Sequence, residues 1–298
     1  MVTFNGNEGA KQRLITLARS FAPRILDNNK DRTREKLFWS EREWCEPMYV
    51  CQKGKDCDHR FYADQIGVPV GLAYAERAVF LDLPTAAAKK WWPAFLEAIP
   101  VGVTLTEGDI MRKIAIEILS DSRLGMLANT TGGDQHGAVS DILDLFLAGE
   151  TDASRWKAAA DKAMRVYHKS PYNNNRMKKD EARKHQGCVA TRAAYYLARA
   201  AEDPRHWCEA VSEAGWVFRY KGYADHLSTV GEYTGEGGNS ISFGQWMAAT
   251  DRGDHLGEIA RASYIEWVSR LICAELRKSD GKTKMERFLR FFSGRQAA

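Results

Sequence analysis

Apolar residues return at helical spacing over most of the chain. Trp207, Ala210, Val211, Ala214, Val217 and Phe218 form an i, i+3, i+4 stripe, the pattern of one buried helix face. Asp203 ahead of it predicts an N-cap, and Pro204 a first helical position, where a missing N–H costs nothing. Trp156, Ala160, Ala163 and Tyr167 repeat the stripe behind Thr151 and Asp152, and Ile265, Val268, Ile272 and Leu276 draw it again further on. Thr104 and Glu107 stand at capping-box spacing ahead of Ile110, Ile114 and Ile118. No run of period-two alternation is bounded by hairpin residues, so the pattern predicts an all-α fold, an irregular multi-helix bundle.

Breaks in the pattern divide the chain. Pro84, Pro93 and Pro100 cut Leu81–Val101 into short pieces, and Pro93 is expected to start or kink a helix after Trp91 and Trp92. Ser170–Asn175 and Gly231–Ser240 read as polar and glycine-rich loops. Residues 27–66 are charged and turn-rich apart from Phe38, Trp39 and Trp44. The expected organisation is therefore an N-terminal module over 1–66, holding a cysteine cluster, and a helical body over 67–298 of about eight helices. No fixed repeat period supports a regular solenoid.

Composition narrows the class without assigning a function. Of 298 residues, 44% are hydrophobic and 28% charged, ordinary for a globular protein and too apolar for a disordered one. The 9 Trp, 11 Tyr and 12 Phe supply ample core material. No apolar run approaches the roughly 18 residues that span a bilayer, and no apolar leader segment is evident. The expected setting is cytoplasmic, with no membrane contact. The net charge of +4 is too balanced to argue nucleic-acid binding by itself.

The densest chemistry is Cys45-x5-Cys51-x5-Cys57-x-His59. Three thiolates and an imidazole can hold a tetrahedral structural zinc in a segment with little other core. Structural zinc sites usually open with a C-x2–4-C knuckle, which x5 spacing is not; ordinary thiols in a charged loop are the alternative. Two further His/Cys pairs, His185/Cys188 and His206/Cys208, flank an expected helical hairpin. The first lies about 16 residues, roughly 24 Å, from the turn that holds the second, so the pairs cannot share a metal. His185, one turn before Val189, reads as a partly buried structural histidine.

Thr130–Asp134 (TTGGD) with His136 is the second candidate. Gly132, Gly133 and Asp134 ahead of a helix can offer free N–H groups and a carboxylate to a ligand, or form a helix start capped by Asp134. The stretch resembles the Gly-Gly-Asp-x-Asp metal loop of the ADP-ribosylglycohydrolases over about 15 residues, with His136 in place of the second aspartate. That resemblance implies an all-helical metal-dependent hydrolase of ADP-ribosyl or nucleotide substrates. A di-metal site needs several carboxylates from separate segments, and only Asp134 can be placed.

The third candidate is the loop carrying Gly235, Gly237 and Gly238, whose backbone can cradle an anion. No Lys-Ser/Thr follows and no strand precedes it, so it is neither a P-loop nor a Rossmann turn. A flexible connection or a partner surface fits equally. Basic residues gather at Lys11–Lys36, Arg176–Lys184 and Arg277–Arg295, segments that can meet nucleic acid or remain solvated.

Gly71–Glu76 (GLAYAE), Leu83-Pro84, Trp92–Gly102 (WPAFLEAIPVG) and Leu119–Asp121, followed by helices rich in Ala, Tyr, Trp and Arg from Trp156 to about Gly215, resemble uncharacterised helical proteins of bacterial and phage genomes. The resemblance spans about half the chain and implies a bacterial or phage cytoplasmic setting, with no activity attached. The expected function is that of a non-enzymatic intracellular interaction protein, an accessory factor that binds and modulates another macromolecule, most naturally a protein. The metal-dependent hydrolase and a nucleic-acid-binding protein are the alternatives.

Overall fold

The computed structural model describes residues 2–21, 59–169, 179–230 and 243–279. Among them the fold is all-α, with ten helices and no strand. The helices are α1 (Glu8–Phe21), α2 (His59–Ile66), α3 (Val70–Asp82), α4 (Thr85–Ala98), α5 (Glu107–Ser120), α6 (Gly133–Ala148), α7 (Ala153–His168), α8 (Lys179–Glu202), α9 (Trp207–Leu227) and α10 (Phe243–Lys278). Cys45, Cys51 and Cys57 lie outside the described residues, as do the loops at 170–175 and 231–240.

The apolar stripes become the core. Trp207, Ala210, Val211, Ala214, Val217 and Phe218 are all buried, as are Ile265, Val268, Ile272 and Leu276. This makes α9 the central helix, packed on α8, α10 and α3. The α8–α9 hairpin turns where expected: Asp203 accepts from the Arg205 N–H at 3.1 Å, and Pro204 opens a 3-10 turn at Pro204–His206. Phe4, Ile15, Ala18, Tyr62 and Ile66, from the described parts of 1–66, join the same core.

Two local expectations are corrected. The cap of α5 is Thr106, two residues beyond Thr104. Its hydroxyl accepts from the Asp109 N–H at 3.2 Å and donates to the Asp109 carboxylate at 2.6 Å. Thr106/Asp109 has the same i, i+3 spacing as Thr104/Glu107, and Glu107 serves elsewhere, accepting from the Gly71 N–H at 3.1 Å. Of the two outcomes expected at Pro93, a helix start is the one that fails; α4 runs through it from Thr85 to Ala98. Proline removes one intrahelical donor, while Trp91, Trp92, Phe95 and Leu96 around it are all buried, so burial holds the segment helical.

The end of α6 is closed by side chain and backbone together. Gly149 adopts φ +64°, the left-handed cap that glycine enters without steric cost. The Arg112 guanidinium, reaching over from α5, donates to the Phe146 and Leu147 carbonyls at 2.6 Å each. Such a cation at a helix C-terminus satisfies orphan carbonyls and the dipole at once.

Candidate functional site

The TTGGD segment forms the start of α6, though not as expected. The cap is Gly132, and Asp134 sits in the first turn. Gln135 makes the local bonds: its carbonyl accepts from the Thr131 N–H at 2.9 Å and hydroxyl at 3.0 Å, and its amide donates to Cys188 Sγ at 3.1 Å. Asp134 pairs with Lys169 at 3.3 Å, and Asp141 with Lys162 at 2.6 Å. His136 Nδ1 lies 3.4 Å from the Thr130 hydroxyl. Gly132, Gly133, Asp134 and His136 are thus neighbours in one exposed turn, and the two carboxylates are each engaged by a lysine.

His59 opens α2, where its buried ring stacks on Tyr74 at 4.0 Å; its proposed companions Cys45, Cys51 and Cys57 lie outside the described residues. Gly235, Gly237 and Gly238 also lie outside them. Among the described residues no group of three His, Cys, Asp or Glu side chains is arranged to hold a metal.

The structure instead brings together a set of residues that sequence reasoning missed. On the α8–α9 hairpin, Arg192 Nε donates to Glu213 at 2.7 Å, with a second guanidinium N–H on the same oxygen. Its third arm donates to the Tyr167 hydroxyl at 2.6 Å. Desolvation raises the Glu213 carboxyl above its ordinary value, an effect opposed by Arg192 and more distantly by Arg261. Beside this pair, Trp216 carries two guanidinium groups, those of Arg219 and Arg261, each 4.7 Å from its ring. Arg219 pairs in turn with Glu258 at 2.6 Å and Asp254 at 3.4 Å, both on α10. Tyr220 follows, 6.2 Å from Trp216.

The result is a continuous strip, Tyr167–Arg192–Glu213–Arg261–Trp216–Tyr220, of half-buried rings and fixed guanidinium groups. Its sequence trace is that Trp216 falls between positions of the Trp207–Phe218 stripe and Tyr220 two residues beyond its end. Off-stripe aromatics on an amphipathic helix face away from its most buried side.

His185 closes the strip, edge-on to Tyr220 at 4.4 Å and buried. Burial, aided by the Arg192 charge, pushes its pKa down to about 4. The unfolded chain, with a histidine near 6.5, then binds more protons than the folded one between those values. Stability should fall by about 2 kcal/mol as pH drops from about 7 to about 4.5. Urea unfolding across that range checks this, and His185→Gln should flatten the limb; an equal slope in both would remove His185 as its source.

No family model matches the chain, and neither a curated protein nor a solved structure is similar to it. Among the described residues no helix is long and apolar enough to cross a membrane.

Proposed function

We propose that the chain is a non-enzymatic interaction protein, a bacterial or phage accessory factor of the cytoplasm that binds and modulates another protein. The supporting observation is the Arg192–Trp216–Tyr220 strip. Trp, Tyr and Arg are the residue types that dominate binding energy at protein interfaces. Here they are held before any partner arrives, the guanidinium groups by carboxylates and the rings by stacking, which lowers the ordering cost of association.

Charge selects the partner class. The guanidinium groups of Arg192, Arg219 and Arg261 are matched by Glu213, Asp254, Glu258 and Asp82. A phosphate backbone needs cations in excess, so this strip favours a protein with an aromatic or aliphatic anchor over nucleic acid.

The test is affinity capture from the native host with the unmodified chain and with Trp216→Ser and Tyr220→Ser variants of unchanged circular dichroism. One stoichiometric protein captured by the parent and lost from both variants is expected. The same protein retained by both variants, or nucleic acid recovered in its place, would overturn the reading.

A further inference from the structure

Beside the strip, polar side chains converge from three segments far apart in the chain. Asn129 ends the 3-10 turn at Leu127–Asn129, Gln186 lies within α8 and Lys221 within α9. Asn129 is 2% exposed and Gln186 7%, while Lys221 is half-buried. The Asn129 amide donates to the Gly125 carbonyl at 2.7 Å, which fixes the direction of its oxygen. That oxygen accepts from Gln186 Nε2 at 3.2 Å and from Lys221 Nζ at 3.3 Å. The ammonium also stands 5.8 Å from the centre of the Phe218 ring.

The donors of this set outnumber its acceptors. An ammonium carries three donors and a primary amide two. Among the described residues the single Asn129 oxygen takes one from each, leaving the rest of Lys221 and Gln186 to meet something else. The charge is unanswered as well. Lys162, Lys169 and Lys278 each meet a carboxylate, those of Asp141, Asp134 and Glu275, whereas among the described residues Lys221 meets none. Asp225, one turn further along α9, is taken by Arg183 at 3.3 Å. A polar network with spare donors is costly where its amides are this deeply buried, and a hydrogen bond from an ammonium to an anion is the strong kind. One ammonium balances one negative charge, that of a carboxylate, and falls short of the roughly two carried by a phosphoryl group.

We propose that Lys221 and Gln186 form a subsite for a single carboxylate, one oxygen on the ammonium and the other on the Gln186 N–H, with Asn129 as the positioning residue. The carboxylate arrives either on a small organic acid or as an aspartate or glutamate side chain of another protein. His185 and Tyr220, the residues just before Gln186 and Lys221, close the strip, but the subsite stands or falls independently of protein binding there.

Titration of the full chain with acetate, with Nα-acetylglutamate α-methylamide and with inorganic phosphate, followed by NMR at constant ionic strength, tests the assignment. The side-chain signal of Lys221, identified by its absence from Lys221→Met, should shift saturably with a carboxylate at about 10 mM. Acetate bound as tightly as the glutamate derivative marks a small acid, and preference for the derivative marks a side chain. Gln186→Leu should weaken binding about tenfold, the loss of one hydrogen bond to a charged group. In the parent, the Gln186 side-chain N–H signals should move along with Lys221, a readout that needs no change at the buried position. They should stay still in Lys221→Met, where an unbranched stem replaces the ammonium. No saturable shift of Lys221 below about 100 mM, tighter binding of phosphate than of acetate, an equal response from the other lysines, or Gln186 signals that still move in Lys221→Met would each overturn the proposal.

Discussion

Gly257→Ala is expected to destabilise the protein by about 2 kcal/mol, and Gly257→Val by about 3 kcal/mol or more. A Cβ built on Gly257 would stand 2.6 Å from the Arg219 carbonyl oxygen and 3.1 Å from Arg219 Cγ. The first of these is backbone and cannot swing aside. From the other side, a Cβ on Gly222 would meet Ala260 Cβ at 2.9 Å and the Leu256 carbonyl at 3.1 Å. The α9–α10 crossing therefore depends on two facing glycines, and any side chain there pries the helices apart. Separation would also disturb the Phe218–Tyr264 stack, whose rings lie 4.3 Å apart in the core. Alanine's helix propensity favours the substitution by only about 1 kcal/mol, less than the cost of the overlap. Gly137→Ala is the control. Its new Cβ would meet only Lys162 Nζ, at 3.8 Å, so a gain of about 0.5–1 kcal/mol is expected there. Urea unfolding of the two variants should move in opposite directions, and stabilisation by both would refute the crossing argument.

Legibility in the sequence followed the range of each interaction. Stripes such as Trp207–Phe218 and Ile265–Leu276 were readable because burial of one helix face imposes a local period. The cap at Asp203 was readable too, since cap and proline are adjacent. Where two local solutions shared one spacing, sequence could not choose. Thr104/Glu107 and Thr106/Asp109 offer the same box, and the decision came from Gly71, whose N–H claims Glu107 across 36 positions. Pro93 shows the opposite limit, a local breaker overruled by the burial of Trp91, Trp92 and Phe95 around it. The TTGGD turn starts a helix as the glycines suggested, yet Gln135 bonds the Thr131 N–H and Asp134 turns to Lys169.

The sites themselves were less legible than the elements. The Trp216 strip draws Tyr167, Arg192, Glu213 and Arg261 from four helices. It leaves no motif, because it depends on which helices become neighbours. Facing glycines such as Gly222 and Gly257 leave the same faint trace: their spacing matters only once α9 and α10 are known to cross.

Arg261→Met should cost about 3–5 kcal/mol, because it strands a buried carboxylate. Arg261 pairs with Asp82 at 2.7 Å, the two side chains being 12% and 5% exposed. The second Asp82 oxygen is buried without a hydrogen bond, which leaves the guanidinium as the main answer to its charge. Methionine preserves much of the stem packing over Trp216 and removes only the cation. The double variant Arg261→Met with Asp82→Leu should recover most of the loss, since replacing both members of a buried pair is close to neutral. The double variant separates charge from packing, since it removes the stranded carboxylate and still lacks the contact with Trp216. Urea unfolding of the parent and both variants is the measurement. A deficit that persists undiminished in the double variant would mean that Arg261 acts through its contact with Trp216 and that the Asp82 charge contributes nothing.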